Sequence, residues 1–594
     1  MAKPRFSVVL IGKNEEKTLP RLVASLAEFQ KRGGEIVLVD TGSTDKTVEV
    51  AEGLGCKVTP VGDRFVLTVG EDEAQEINEK FIEPGEAPVI AGGDRCFNFA
   101  AARNFAASLS STDVIAMPDC DEIYTKLDID KVDAAIADGV EQLEYNFVFA
   151  HDPFGNEAVK FWHSKFYDRR KLHWEGIIHE ILCGAARRQF FEEDVIKLEH
   201  YQNPEQQRGH YLKGLALDCF GHPDNDRNSH YFARELAWNG RPKSAIKEFK
   251  RHIAMDRWPQ ERGESMLFVG DCCGMLGLEA EQVEWYQRSF NLDASRRSSL
   301  MRLAGLYAHK VDPQRVACYC AAALQVPWSG FYSNNMSQYA QEPHELMYWA
   351  KHQLGDIAGA REHWRAALGY QMLNPKYLSD AHWYVKLPKV SIVIPTLGRE
   401  EGLKRCLTEI ERNANYPKEL YEVIVVEDSF DPEKRMGALK ALKKGVEQST
   451  GELVMFLAND TVPYPNFLIV AVLQMWLSFG DVMDGLVGLN DMYWRDGRAT
   501  HWLGSKKLLP MLGGEFFHTG YYHVGCDDEL VGRCRMAGKY VWCKDAMLWH
   551  NHPVLNDFSR MDDVNKLAWD EVRMKHDREL LAQRSKEFGF PVFP

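Results

Sequence analysis

What the chain lacks narrows its class first. No run of about 18 apolar residues occurs in the 594 residues, so no membrane-crossing helix is expected. The opening MAKPRFSVVLIGKNEE has no signal-peptide pattern and runs directly into a strand. The 13 cysteines are scattered, and no CxxC pair recurs at zinc-ribbon spacing. Free thiols in a reducing compartment, and hence a cytoplasmic, soluble protein, are the expectation. A basic surplus is also missing. The formal net charge of −15 disfavours nucleic acid and anionic membrane as partners of the chain as a whole. The local basic runs Arg169-Arg170-Lys171 and Arg187-Arg188 read as solvated faces.

What is present is material for several cores. At 45% hydrophobic and 26% charged the composition is that of a globular protein, and the length predicts more than one domain. Residues 6–11 (FSVVLI) and 35–40 (EIVLVD) are near-continuous apolar runs, the pattern of parallel strands buried on both faces. Between them Leu19, Leu22, Val23 and Leu26 recur at helical spacing, and TVEVAEGLG followed by CKVTPV adds a helix and a strand. This β-α-β-α-β order predicts a parallel, right-handed sheet. The polar stretch 62–92, with Pro84 and Pro88, reads as an insertion loop. A helix is expected over 95–108, a strand at VIAMP (114–118), and shorter strands and loops over 141–200.

From residue 205 to 380 the pattern changes to helix pairs. HYFARELAWNGRPKSAIKEFKRHIAMD and HELMYWAKHQLGDIAGAREHWRAALGYQMLNP both place aromatics and leucine early, a glycine at the turn and an alanine-rich second helix. They resemble the tetratricopeptide (TPR) repeat of about 34 residues. A looser unit lies between them, and 327–342 breaks the pattern. At Pro388 the first architecture returns, with VSIVIP (390–395), a helix over 400–413, EVIVVEDS (422–429), a helix over 433–449 and GELVMFLAND (451–460). The two ends match in order and approximate spacing, as a diverged internal repeat would. The fold class expected is therefore α/β and all-α multidomain. One α/β domain spans 1–204, a TPR-like helical segment 205–384, and a second α/β domain 385–594.

In an open parallel sheet, ligands bind beyond the carboxyl ends of the strands. Here those ends are acidic: Asp40 closes the second strand, and Asp119, Asp121 and Glu122 follow the strand at 114–118. Ser43, Thr44 and Asp45 read instead as a helix cap. Two carboxylates one residue apart at a strand end point into one cleft. They suit Mg²⁺ or Mn²⁺, hard cations that take oxygen ligands and keep water or phosphate oxygens in their shell. Such an ion stabilises a departing diphosphate.

On VDTGSTD, AARN, DCDE, WEGIIHE (174–180) and KLEHY (197–201), the N-terminal region resembles glycosyltransferase family 2, which has the GT-A fold, a Rossmann-like, mostly parallel sheet. The resemblance implies that Asp40 contacts the nucleotide base and that Arg103 and Asp119 serve the donor. It further implies Asp121 and His200 as metal ligands and Glu180 as general base. A mixed carboxylate and imidazole set suits Mn²⁺ better than Mg²⁺. The C-terminal region resembles the same family with departures. IPTLGRE carries Arg399 and VEDS places Asp428 at the base-contact position, both donor-side. LAND has Ala458 where the first acidic residue would stand, so Asp460 alone remains. GCDDELVGRCRMAG offers Asp528 as base, and WHNHP offers His550 as a metal ligand beside Asp460. His550 and His552 lack the paired cysteines of a zinc site. Trp162, Trp174 and Trp549 read either as sugar-pocket walls or as core.

The family resemblance implies an inverting transferase that moves a sugar from a nucleoside diphosphate sugar, a UDP-sugar above all, to a hydroxyl of a protein or glycan acceptor. The domain order resembles bacterial and phage glycosyltransferases, some of which modify peptides. The repeats would offer a concave surface for an acceptor polypeptide or for assembly into a homo-oligomer. Three other readings stand beside this one. A DNA-modifying glycosyltransferase is disfavoured by the acidic charge. A TPR scaffold with degenerate glycosyltransferase domains is opposed by the intact DCDE, HE and GCDDEL motifs. A nucleotidyltransferase would tend to have a Gly-rich loop after the first strand, where IGKNEE and IPTLGRE have none.

Overall fold

The computed structural model describes residues 2–151, 155, 157–201, 210–494, 498–551, 564, 566 and 570–592. They form two compact units, Met1–Leu354 and Gly355–Pro594. The break falls inside the helical segment, between the two helices of the second repeat motif, Gln341–Gln353 and Ile357–Tyr370.

The first unit is built on β1 (Phe6–Gly12), β2 (Ile36–Asp40) and β3 (Lys57–Pro60), followed by the small hairpin β4 (Val66–Thr68) and β5 (Arg95–Phe97). Next come β6 (Val114–Ala116), β7 (Glu122–Leu127), β8 (Gln142–His151) and β9 (Glu157–Asp168). A hairpin of β10 (Leu172–Glu175) and β11 (Ile181–Gly184), then β12 (Arg188–Phe191) and β13 (Ile196–His200), complete it. The main sheet runs β3-β2-β1-β6-β9-β8-β13-β7, with β12 beside β8. The apolar runs of β1 and β2 are interior strands, flanked by β3 and β6, with side chains covered on both faces. The sheet is mixed: β9 is antiparallel to both β6 and β8, and β7 is antiparallel to β13. Residues 141–168 thus form two long strands rather than the short strands and loops expected.

The expected insertion loop is ordered too. Besides β4 it contains the helix Glu71–Phe81, whose Ile77 and Phe81 share a core with Phe232 and Phe249 of the helical segment, while β5 takes the first residues of the helix expected over 95–108, which begins at Phe99. The carboxylate of Glu86 accepts from the backbone N–H groups of Lys243 and Ser244, 2.8 and 2.9 Å, at the start of the helix Pro242–Ala254. The buried Ala74, Ile77 and Phe81 fall at helical spacing among acidic residues. Successive helices from His210–Gly221 to Gln341–Gln353 pack each on the next, and several begin with proline in the first turn, where a missing N–H costs nothing.

The second unit carries β14 (Val390–Thr396), β15 (Tyr421–Glu427), β16 (Leu453–Phe456), β17 (Thr461–Pro463), β18 (Leu486–Asn490), β19 (Trp502–Ser505) and β20 (Tyr540–His550). Their order is β15-β14-β16-β19-β18-β20-β17. This repeats the run β2-β1-β6-β9-β8-β13-β7 of the first sheet strand for strand, and every shared pairing has the same sense. Half of its pairings are antiparallel, so this sheet departs further from the mostly parallel expectation. The helix expected over 433–449 is shorter, Ala438–Gln448.

Among the described residues no helix is long and apolar enough to cross a membrane. All thirteen cysteines are free.

Candidate active sites

In the first sheet the acidic motif leaves β6 and enters β7, so its carboxylates stand at the carboxyl end of the central strand. The helix Phe99–Ser108 delivers Arg103 to them. Asn98 caps it by accepting from Ala101 N at 2.9 Å, and Arg103 is buried. Its guanidinium donates to Asp119 Oδ1 at 2.6 Å and, through Nε, to Glu180 Oε1. One cation therefore ties together the residue expected on the donor side and the expected base.

Lys165 of β9, which the sequence reading did not single out, lies 2.7 Å from Asp119 Oδ2 and also pairs with Glu122. Burial would raise the Asp119 carboxyl, but Arg103 and Lys165 outweigh it and hold the group well below the usual carboxylate range. Glu122, fully enclosed, is pushed up to about 7 by burial despite Lys165. Glu15 is likewise pushed up to about 7, by burial and then by Asp121, Asp119 and Asp45, against its hydrogen bond from Thr18. Asp121 and His200 meet as expected of a ligand pair, Oδ2 to Nε2 3.0 Å, and the His200 ring is oriented by Phe149 O at 3.0 Å.

Glu180 sits on the turn between β10 and β11. Gly176 and His179 take positive φ there, 100° and 52°. The helical segment fixes this turn: Asp218 Oδ2 accepts from Ile177 N and Ile178 N at 2.7 and 3.2 Å. The helix His210–Gly221 approaches so closely that a Cβ on Gly214 would fall 2.2 Å from Ile178 Cγ1. Asp40 stands at the end of β2 with its carboxylate accepting from Gly42 N and Ser43 N, 3.3 and 3.1 Å. Of Ser43, Thr44 and Asp45, expected as a helix cap, Asp45 accepts from Thr47 N at 2.9 Å, while Lys46, at the N-cap of the helix Thr47–Gly53, makes no side-chain cap bond.

In the second sheet a cavity of about 350 Å³ is lined by Arg399, Asp428, Asp460, Asp528 and His550, all of the residues expected there. Arg399, at φ 58° just before its helix, donates to Asp460 Oδ2 at 2.8 Å. His550 Nε2 lies 3.5 Å from Asp460 Oδ1. Two further groups come from residues that carried no sequence signal. Asp491, His501 and His550 present ligand atoms within 4.8 Å of one another, and Asp491 is oriented by a 2.7 Å hydrogen bond from the Thr500 hydroxyl. His552 lies outside the described residues. Asp528 is buried and accepts from Arg498 Nε at 2.8 Å. Burial, then Asp527, push its carboxyl up to about 6 against the pull of Arg498.

The loop before Asp528 is clamped as the Glu180 turn is. Asp577, on the helix Glu571–Phe588, accepts from Tyr522 N, His523 N and Val524 N at 2.8, 2.8 and 2.9 Å. Asp428 accepts from Met436 N and Gly437 N at 2.8 Å each, holding the approach to the helix Ala438–Gln448. In sheet register Asp40 faces Gly12 as Glu427 faces Thr396, so Asp428 stands one residue past the position of Asp40.

Of the other residues weighed from sequence, Trp174 is core, donating from Nε1 to the Tyr167 hydroxyl at 2.8 Å, whereas Trp162 is exposed. Arg170 pairs with Asp168 and Asp113, and Arg187 with Asp138, so these runs are neutralised locally.

A 103-residue stretch is 29% identical to the glycosyltransferase AglE of Haloferax volcanii, covering 14% of this chain and 34% of that protein. The chain thus spans about a third of the length of this curated relative. Among solved structures, a mannosyltransferase from Pyrobaculum calidifontis in complex with GDP-Man and Mn²⁺ is 22% identical over 35% of this chain and 68% of its own, at a TM-score of 0.23. The C-terminal part of a TPR repeat-containing protein from Cytophaga hutchinsonii is 9% identical over 29% of this chain and 62% of its own, at 0.25. Residues 7–61, which span β1 to β3, match Glycosyl transferase family 2, and the chain carries that family's segment at the start of its first sheet.

Proposed function

We propose that each sheet carries the active site of an inverting glycosyltransferase that uses a nucleoside diphosphate sugar, with a UDP-sugar as the first donor to try and a hydroxyl of a protein or glycan as acceptor. One observation carries the extension to the second sheet. Asp121 with His200, and Asp460 with His550, occupy the same register positions at the same strand ends, each pair within 3.5 Å. The residues fit a divalent cation, Mn²⁺ or Mg²⁺. Asp121 and His200 would hold it in the first site, and Asp460 and His550, with Asp491 and His501 close by, in the second. When bound, the cation supplies charge neutralisation for the departing diphosphate.

The remaining work falls to the chain's own side chains. At the first site Arg103 offers positive charge to the donor side while its Nε orients Glu180. Glu180 takes the proton of the acceptor hydroxyl. The freed oxygen attacks the anomeric carbon from the face opposite the diphosphate, the bond from carbon to diphosphate oxygen breaks, and the nucleoside diphosphate leaves. At the second site Asp528 is the base. Its pKa near 6 leaves it ionised at neutral pH yet basic enough to accept a proton. The test is release of UDP from a panel of UDP-sugars, with and without Mn²⁺, by the wild type, Asp121→Ala and Asp460→Ala. One sugar turned over only with metal, and lost in one or both variants, is the expected result. Absence of turnover and binding for every nucleotide sugar would remove the catalytic reading.

A further inference from the structure

The helical segment brings charge to the first site that the reaction above does not use. On the helix Asp226–Trp238, Arg227, Tyr231, Arg234 and Trp238 share one face by their spacing. Their side chains form a ladder. The Arg227 and Arg234 guanidinium carbons lie 4.6 and 4.5 Å from the Tyr231 ring centre, and Arg234 lies 4.8 Å from Trp238. Tyr231 packs against His179, the residue before Glu180, with ring centres 4.4 Å apart.

The charges on this ladder are not balanced as those in the site are. Arg103 and Lys165 are met by Asp119, Glu180 and Glu122. Among the described residues neither Arg227 nor Arg234 forms a salt bridge, and the buried Nε of each has no hydrogen-bond partner. Glu261, buried close enough to feel both arginines, accepts from the Tyr332 hydroxyl at 2.8 Å instead. Two neighbouring cations with enclosed, unused donors are costly unless an anion meets them. The half-buried His163 imidazole of β9 is pushed down to about 3 by desolvation first, then by Lys165, with Arg103 and Arg227 acting in the same direction. Arg227 therefore belongs to the same electrostatic neighbourhood as Arg103.

We infer that Arg227 and Arg234 form an anion subsite for the acceptor of the first site, holding a phosphate or carboxylate group of the acceptor while its neighbouring atoms lie on Tyr231 beside Glu180. Guanidinium forks match both oxyanions. This rests on the reading of Glu180 as the base of a glycosyltransferase.

The probes are inorganic phosphate and acetate. Each is titrated into the full chain at constant ionic strength with chloride as reference, in the presence of saturating UDP so that the donor site is not counted, and binding is read by calorimetry. The expected result is a saturable response to one or both anions in the wild type. It should weaken at least about tenfold in Arg227→Gln/Arg234→Gln, and less in Arg227→Lys/Arg234→Lys, which keeps the charge and loses the fork. Which anion binds more tightly identifies the acceptor group. Equal responses in wild type and the glutamine variant, or none in the wild type, overturn the subsite. If the glutamine variant does not fold, an unchanged response in the lysine variant overturns it as well. UDP binding by the wild type is measured alongside. If UDP binds and the anion response is missing, the subsite alone fails; if the anion response is present and no nucleotide or nucleotide sugar binds, the glycosyltransferase reading fails and the anion site remains.

Discussion

The two acidic strand ends share a register but not a charge pattern. Where the first sheet has Asp119, Glu122 and Lys165, the second has Ala458, Thr461 and Trp502 at the matching positions of β16, β17 and β19. The three charged residues pair with one another, and all three are replaced by neutral ones. A lysine at 6% exposure cannot keep its charge beside a carboxylate that has become alanine, so the network is exchanged as a unit or not at all. The departure in LAND is thus more than a decayed motif: it accompanies a cavity lined by Asp460, His501 and His550, with Asp491 beside the two imidazoles. The first site has a buried lysine between two carboxylates; the second keeps the arginine–carboxylate pairs Arg399–Asp460 and Arg498–Asp528 and adds a second imidazole and a cavity.

The largest expected effect tests that exchange. Lys165→Met alone leaves Glu122 buried without its cation and should destabilise the first unit by about 3–5 kcal/mol. Adding Asp119→Ala and Glu122→Thr should recover most of that loss in thermal unfolding; additive losses would show that the three residues are not one network. Next comes the shared clamp. Asp218→Ala and Asp577→Ala each strand backbone N–H groups of a base-bearing loop, costing about 2–4 kcal/mol. Each should lower turnover at its own site while leaving UDP binding in place. If either variant keeps full turnover, the loop does not need its clamp.

A sharper distinction comes from pH. Because the Asp528 carboxyl is raised to about 6, turnover at the second site should rise as pH increases through about 6, and Asp528→Asn should abolish it. The linkage has the opposite sign for stability. A raised carboxyl binds its proton more tightly in the folded state, so ionising it weakens folding between its ordinary value near 4 and about 6. Arg498→Gln removes a group that lowers this carboxyl and should shift the activity midpoint upward. The smallest effect is expected from Asp491→Asn. It should weaken Mn²⁺ binding at the second site, read by electron paramagnetic resonance, with no change at the first.

Much of the framework is written locally. FSVVLI, EIVLVD and VSIVIP announce buried strands, and all three are interior strands of their sheets, whereas EVIVVEDS forms the half-buried edge strand of the second sheet. Asp121, His200, Asp460 and His550 are marked by the resemblance of DCDE, KLEHY, LAND and WHNHP to family motifs. Residues 62–92 read as a loop because a short strand and an eleven-residue helix have weak local signals, and the helix's apolar face shares a core with the helices after residue 210.

The sequence by itself determined the strand ends that bear carboxylates, the recurrence of the same order at both ends of the chain, and the helical stretch between. Tertiary structure decided which cation meets which carboxylate and what holds the loops of Glu180 and Asp528. Lys165 reaches Asp119 through the antiparallel pairing of β6 with β9, and Asp218 and Asp577 reach their loops from helices 40 and more than 50 residues downstream. Hydrophobic periodicity fixes which face of an element is buried, but pairing between polar side chains so far apart depends on sheet register and on how helices dock. Those are settled by packing of the whole unit, which no local window contains.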